Sequence, residues 1–173
     1  QIFPELQVFE ASHNLDASCI KILQRMNVTV SSKYYSEERG VGWIHSGKIG
    51  HWCSFLRFIS HCAEIGYDFC VWMEDDLKLT YTMLQQIKTN LKDGGMPIVS
   101  LGVGDEANII IGSRVQDLLK KLENYEIEYP LDLAMMHSGY RDSKKIFDGR
   151  LFHDKRDSTL VCPDCELLYY SDI

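Results

Sequence analysis

The sequence predicts an α/β domain, a mostly parallel central sheet covered by helices in three layers, and three observations lead there. Short apolar runs recur at Phe69 to Met73, Pro97 to Leu101 and Ala107 to Ile111. Each has the length and composition of a strand buried on both sides. Segments with apolar residues at three- and four-residue spacing are interspersed with them, as crossover helices are between parallel strands. A length of 173 residues suits one domain with its own core, so residues 1–173 are expected to form a single unit.

Along the chain, Leu6 to Ala11 alternates as a strand does. Asp16 to Met26 has apolar residues at 17, 20, 22, 23 and 26, which suits a short helix capped by Asn14 or Asp16. Val28 to Val30 fits a second short strand, and the polar, glycine-containing stretch Ser31 to Gly42 reads as a loop. Ser46 and Gly47 open a helix whose Ile49, Trp52, Cys53, Leu56, Ile59 and Ala63 share one face, and Gly66 stops it. The strand Phe69 to Met73 follows. A helix is then expected over Thr80 to Leu91, with Met83, Leu84, Ile87 and Leu91 on one face and Gly94-Gly95 at its end. After the strands at 97–101 and 107–111, Ser113 is expected to cap a helix with Val115, Leu118, Leu119 and Leu122 inward. Past Asn124 the pattern weakens into short elements with several ionisable groups, a kind of stretch that often carries ligand-binding residues.

Charge and composition exclude some functions. The net charge is −7 and no basic run is longer than Lys120-Lys121 or Lys144-Lys145, which leaves no stripe to meet nucleic-acid phosphates. No apolar stretch reaches the ~20 residues that span a bilayer. The chain opens QIFPELQVF, without the basic-then-apolar order of a secretion signal. A start at Gln suggests a processed chain, an N-terminal truncation or a domain excised from a longer polypeptide. Among six cysteines, Cys53, Cys62 and Cys70 lie on apolar segments and are expected to be small buried hydrophobes. Cys162 and Cys165 form a CxxC pair read as a local disulfide or two free thiols, because a structural zinc site wants four ligands. The free-looking cysteines and the absent signal lean towards cytoplasm over the ER or Golgi lumen. Asn27-Val28-Thr29 is a sequon, a motif short enough to recur by chance.

The chemistry concentrates at DFCVWMEDDL, where Glu74, Asp75 and Asp76 follow Met73 directly. Ligands of open α/β sheets bind beyond the carboxyl ends of the strands, so acids there are placed to hold a metal. Three crowded carboxylates repel one another, and a divalent cation relieves that repulsion while leaving positions for further oxygens. Magnesium or manganese fits such hard ligands. With few protein ligands it would complete its shell with phosphate oxygens, which makes a diphosphate the natural substrate group. The plainer alternative is a solvated acidic loop after a strand.

These residues sit in a wider pattern. SGKIGHWCSFLRFIS followed by DFCVWMEDDLKL resembles glycosyltransferase family 25, with its procollagen and lipopolysaccharide galactosyltransferases, where a G-E-I-G-C-x-x-S-H helix precedes an apolar strand ending in E-D-D. FPELQVFEASHNLD is similar to the family's early A-x-D-G strand and turn, ANIIIGSRVQDLLKKL to a later strand and helix, and EYPLDLAM to its P-x-D-x-x-L segment. The resemblance implies a GT-A-like (Rossmann-like) fold, a metal held by the acidic motif and a UDP-galactose or UDP-glucose donor. It implies transfer of a hexose to a glycan or other hydroxyl-bearing acceptor. Glu74, Asp75 and Asp76 then match the E-D-D, with Asp76 the first metal ligand and Glu74 shared between metal and donor. Ser54 matches the Ser of the S-H pair, and Lys48, near a helix start, is placed to meet a diphosphate. Asp132 matches the later Asp and, with Asp75, is placed as a catalytic residue: a carboxylate there could deprotonate the acceptor in an inverting displacement. Its other reading is a helix N-terminal acid following Pro130, favoured by the macrodipole. His153 is expected to complete the metal shell, with His137 and Asp154 as weaker rivals.

Lys48 and Phe55 replace the Glu and His of the family pattern, and the chain opens without the family's I-N-L-x-x-R strand. From these departures comes an alternative function: a catalytically inactive GT-A-like module that binds, or forms a structural part of, a larger protein. A magnesium-dependent phosphoesterase or nuclease would also use clustered acids, but the chain has no basic stripe to meet a nucleic acid.

Overall fold

A computed structural model of the protein describes residues 11–12, 15–35, 44–73, 77–78, 97–100, 107–138, 141–142 and 152–153. The expected strand at 6–11, apart from Ala11, the helix over Thr80 to Leu91, the acids Glu74, Asp75, Asp76 and Asp154, and the pair Cys162 and Cys165 lie outside the described residues.

The first helix, α1 (Ala17–Met26), starts where the sequence places it. Asp16 is its N-cap and accepts a hydrogen bond from the Cys19 N–H at 2.8 Å, satisfying a backbone donor that a helix start otherwise leaves open. Asn27 ends the helix in the left-handed region, at φ 51°. β1 (Thr29–Val30) follows and pairs in parallel with β6 (Glu126–Ile127), Thr29 opposite Glu126.

The long helix α2 (Ser46–Ile65) is the spine of the core. Its Ile49, Trp52, Cys53, Leu56 and Ile59 are all buried, and Gly66 closes it in the left-handed region at φ 75°. The three residues 66–68 then return the chain into β2 (Phe69–Met73), so α2 and β2 run in opposite directions. β3 (Leu77–Lys78), β4 (Ile98–Ser100) and β5 (Ala107–Ile111) follow, and then α3 (Gly112–Leu122). α4 (Leu131–His137), β7 (Arg141–Asp142) and β8 (Phe152–His153) complete the described elements.

The larger sheet has the order β2-β5-β4-β7. β5 is antiparallel to both β2 and β4, while β7 is parallel to β4. Thus β2, β4 and β7 share one direction and β5 runs against them. The expectation of a mostly parallel sheet is corrected here, since two of the three ladders in this sheet are antiparallel. Residues 101–106 are all that separates β4 from β5, far short of the dozen or so that a parallel crossover needs. The fold is a mixture of helix and strand compatible with the α/β class, and its parallel content includes the small β1-β6 sheet.

The core lies between the sheet and the helices. Cys19, Ile22, Leu23 and Met26 of α1 meet the buried face of α2, Val115, Leu118 and Leu122 of α3, and Leu131, Ala134 and Met135 of α4. Ile110 of β5 joins this cluster, while Ile109 and Ile111, which alternate to the opposite face, are equally buried. Both faces of β5 are therefore covered, as its unbroken apolar run requires.

Two local expectations change. Ile111, not Ser113, is the N-cap of α3, and Ser113 sits exposed inside the first turn. Gly112, which opens that helix, donates its N–H to Asp68 O at 2.8 Å, and a Cβ on it would lie 1.8 Å from the Tyr67 carbonyl oxygen. Only glycine permits α3 to begin so close to the α2-β2 link. Cys53 is the second change: it is bonded to Cys19, joining α1 to α2 with a Cα–Cα distance of 5.0 Å. A disulfide between two core helices belongs to oxidising surroundings. It removes the support that a free-looking Cys53 lent to a cytoplasmic location.

Candidate functional site

The carboxyl edge of β2 is where the sequence places the acids, and the surrounding elements define that edge. Trp72, the penultimate residue of β2, packs its indole against three rings of α2: His51 at 6.0 Å, Phe55 at 6.1 Å and Phe58 at 5.2 Å between centroids. Its Nε1 is buried with no hydrogen-bond partner among the described residues. Because α2 runs opposite to β2, its N-terminal turn projects past Trp72 in the direction in which the chain leaves the strand. From His51 back to Ser46 is five residues, about 7 Å along the axis. Lys48, half-buried in that first turn, therefore lies towards the carboxyl end of β2.

A second element marks this edge. Leu77, the residue after Asp76, is the register partner of His153, and Lys78 is the partner of Phe152. The chain around the triplet is thus bracketed by Met73, paired with Ala107, and by Leu77, paired with His153. The β3-β8 ladder sets the His153 backbone opposite Leu77, the residue that follows Asp76 in the sequence.

Neither a known family model nor a curated protein matches this chain. The site therefore rests on its own residues.

Asp132 stands in the first turn of α4, one residue inside Leu131, with Pro130 as N-cap. Its carboxylate meets the positive end of the helix there, as the macrodipole reading requires. α4 packs against both α2 and β7. The segment leading into it is fixed by Trp52, fully buried, whose Nε1 donates to Tyr129 O at 2.9 Å. Tyr129 also meets the rings of Tyr34 at 5.7 Å and His137 at 5.5 Å, which places His137 against Tyr129 at the far end of α4.

Ser54 does not face a ligand. It is 2% exposed, its hydroxyl donates to Gly50 O at 2.9 Å and accepts from the Ser12 N–H at 2.8 Å. The donor role expected of Ser54 is replaced by an interior one: it ties α2 to the segment before α1. Ser12 continues that link, since its hydroxyl is 3.0 Å from that of Ser18 and accepts from Arg57 at 3.0 Å.

Asn108 is a buried polar residue of the sheet that sequence reasoning passed over. It is 1% exposed, on β5 in register with Trp72 of β2 and Ser100 of β4. Buried amides need partners, so an Asn inside the run Ala107 to Ile111 was itself a signal of a polar position within the sheet. By alternation it shares the α2-facing side with Ile110 and the core. Clefts of about 380 and 370 Å³ lie elsewhere, along α1, α2 and α3, with Arg25, Ser60 and Glu64 lining both. They sit towards the C-terminal half of α2, away from the acidic edge. Among the described residues no cluster of His, Cys, Asp and Glu is arranged to hold a metal, and no helix is long and apolar enough to cross a membrane.

Proposed function

We propose that the protein is a metal-dependent glycosyltransferase of GT-A-like fold that moves galactose or glucose from a nucleotide-sugar donor to a hydroxyl of an acceptor. The reading is supported by the order of three parts along the chain and the described elements next to them. The acids Glu74, Asp75 and Asp76 follow the last residue of β2, His153 is held opposite the residue after them, and Lys48 sits in the helix turn that projects past the same strand end.

The donor set fits the implied metal. Carboxylate oxygens with one imidazole suit manganese, and oxygens alone suit magnesium. Asp76, Glu74 and His153 would hold the ion, which when bound neutralises charge growing on the departing diphosphate. The remaining roles belong to the chain. Lys48 and the positive end of α2 attract the diphosphate and fix its orientation. Asp75, between the two metal-side acids in the sequence, is assigned as the second catalytic carboxylate. Asp132 takes the proton of the acceptor hydroxyl as that oxygen attacks, a general-base role available to an ionised carboxylate. The half-buried Trp72, with its ring neighbours, forms an aromatic wall near the end of β2.

Nucleotide release from a panel of UDP, GDP and CMP sugars, with manganese added, tests the proposal. Release of UDP from UDP-galactose or UDP-glucose, abolished by chelator, is the expected outcome. Absence of release across the panel would favour the inactive module.

A further inference from the structure

Cys62 and Cys70 are brought together by the way α2 lies on β2, and the donor site uses neither. The rings of Phe58 and Trp72 meet at 5.2 Å. One helical turn on from Phe58, about 6 Å along the axis, stands Cys62. Two residues back from Trp72, about 6.7 Å along the strand and on the same face, stands Cys70. Helix and strand run in opposite directions, so these two steps bring the thiols over one another. Cys70 packs against the buried cluster that contains Cys62, and hydrogen bonding between the two thiols is the leading cause of the shift in each. Cys62 is 2% exposed, while Cys70 is half-buried on β2, the outer strand of the described sheet. The bond to Cys70, and after it burial, pushes the Cys62 thiol far up. The same bond draws the Cys70 thiol below its ordinary value against the opposing effect of its own burial.

We propose that Cys62 and Cys70 form a redox-active dithiol that closes to a second disulfide by exchange with a small-molecule disulfide of the glutathione type. Cys70, the more accessible thiol, loses its proton and its sulfur attacks one sulfur of the incoming disulfide. That S–S bond breaks and one small thiolate leaves, taking up a proton. Cys62 then loses its proton and its sulfur attacks Cys70 Sγ. The mixed S–S bond breaks, and the second small thiolate departs and is protonated. Two protein thiols are oxidised and one small disulfide is reduced to two thiols, so protons and electrons balance. The direction is set by burial: Cys70 attacks and Cys62 resolves. The product would clamp the C-terminal end of α2 to the strand that leads into the acids, as Cys19–Cys53 already clamps its middle to α1.

The test equilibrates the full chain in glutathione buffers of stepped redox poise, quenches in acid, alkylates the remaining thiols and maps the peptides by mass spectrometry. In the unaltered protein the alkylation of Cys62 and of Cys70 should vanish together, with a peptide linked through both. Cys62→Ala should stop at a glutathione adduct on Cys70, and Cys70→Ala should leave Cys62 without one. A lasting adduct on Cys70 of the unaltered protein, or both thiols alkylated at the most oxidising poise, would overturn the proposal. The first readout needs no variant, so a misfolded substitution cannot decide it.

Discussion

Leu77 and His153 are register partners across the antiparallel ladder of β3 and β8, although most of the second half of the chain lies between them. Through that pairing a late segment of the chain is joined to the strand that follows the acidic triplet in the sequence.

His153→Ala should weaken manganese binding by at least about tenfold, the scale on which even indirect partners of a metal shell act. The thermal unfolding midpoint should hardly move, because the ladder is made by backbone groups. A titration followed by calorimetry measures the first, and circular dichroism the second. Unchanged manganese affinity would take His153 out of the shell.

Lys48→Ala separates metal from diphosphate. A hydrogen bond to a charged group is worth about 1.5–3 kcal/mol, so donor affinity should fall roughly tenfold to a hundredfold with manganese affinity intact. If manganese affinity falls instead, Lys48 acts on the metal site and not on the diphosphate.

The Cys19–Cys53 bond closes a separation of 34 residues. Chain-entropy reasoning gives a loop of that size about 3–4 kcal/mol of stability. The double substitution Cys19→Ser, Cys53→Ser should lower the stability measured by urea denaturation by about that amount. A loss below about 1 kcal/mol would mean that α1 is fixed to α2 by packing alone.

Gly112→Ala forces a methyl group into the Tyr67 carbonyl, 1.8 Å from the built Cβ position. Backbone, not a flexible side chain, must then move, and the Gly112 to Asp68 hydrogen bond goes with it. A cost of about 3 kcal/mol or more is expected, measurable by the same denaturation. Near-neutral behaviour would show that the start of α3 can shift away from the α2-β2 link.

What was legible in the sequence was local. Asp16 as a cap, Gly66 as a stop, and the apolar faces of α1, α2 and α3 are written in residues a few positions apart, and the helices form there. The bounds of the strand Ala107–Ile111 were equally plain, because an apolar run flanked by polar residues marks its own ends. Its direction was also readable but overlooked: six residues after β4 leave no room for a crossover. Ser113 misled because a good cap residue lies inside the first turn of a helix that begins instead at a glycine required by close packing. The Cys19–Cys53 pairing could not be read, since six cysteines allow fifteen connectivities and only the fold selects among them. For the site, the spacing marked the acids and Lys48. Yet the pairing of β3 with β8 and the interior position of Ser54 depend on contacts between segments distant in sequence.

Calorimetric titration of the protein with UDP-galactose and UDP-glucose, with and without manganese, bears most directly on the proposed function. At least one donor should bind only when manganese is present, and Asp76→Ala should abolish that binding while leaving the protein folded. Absence of binding by either donor in the presence of manganese, or an affinity unchanged by Asp76→Ala, would contradict the assignment of the acidic edge as a donor-diphosphate site.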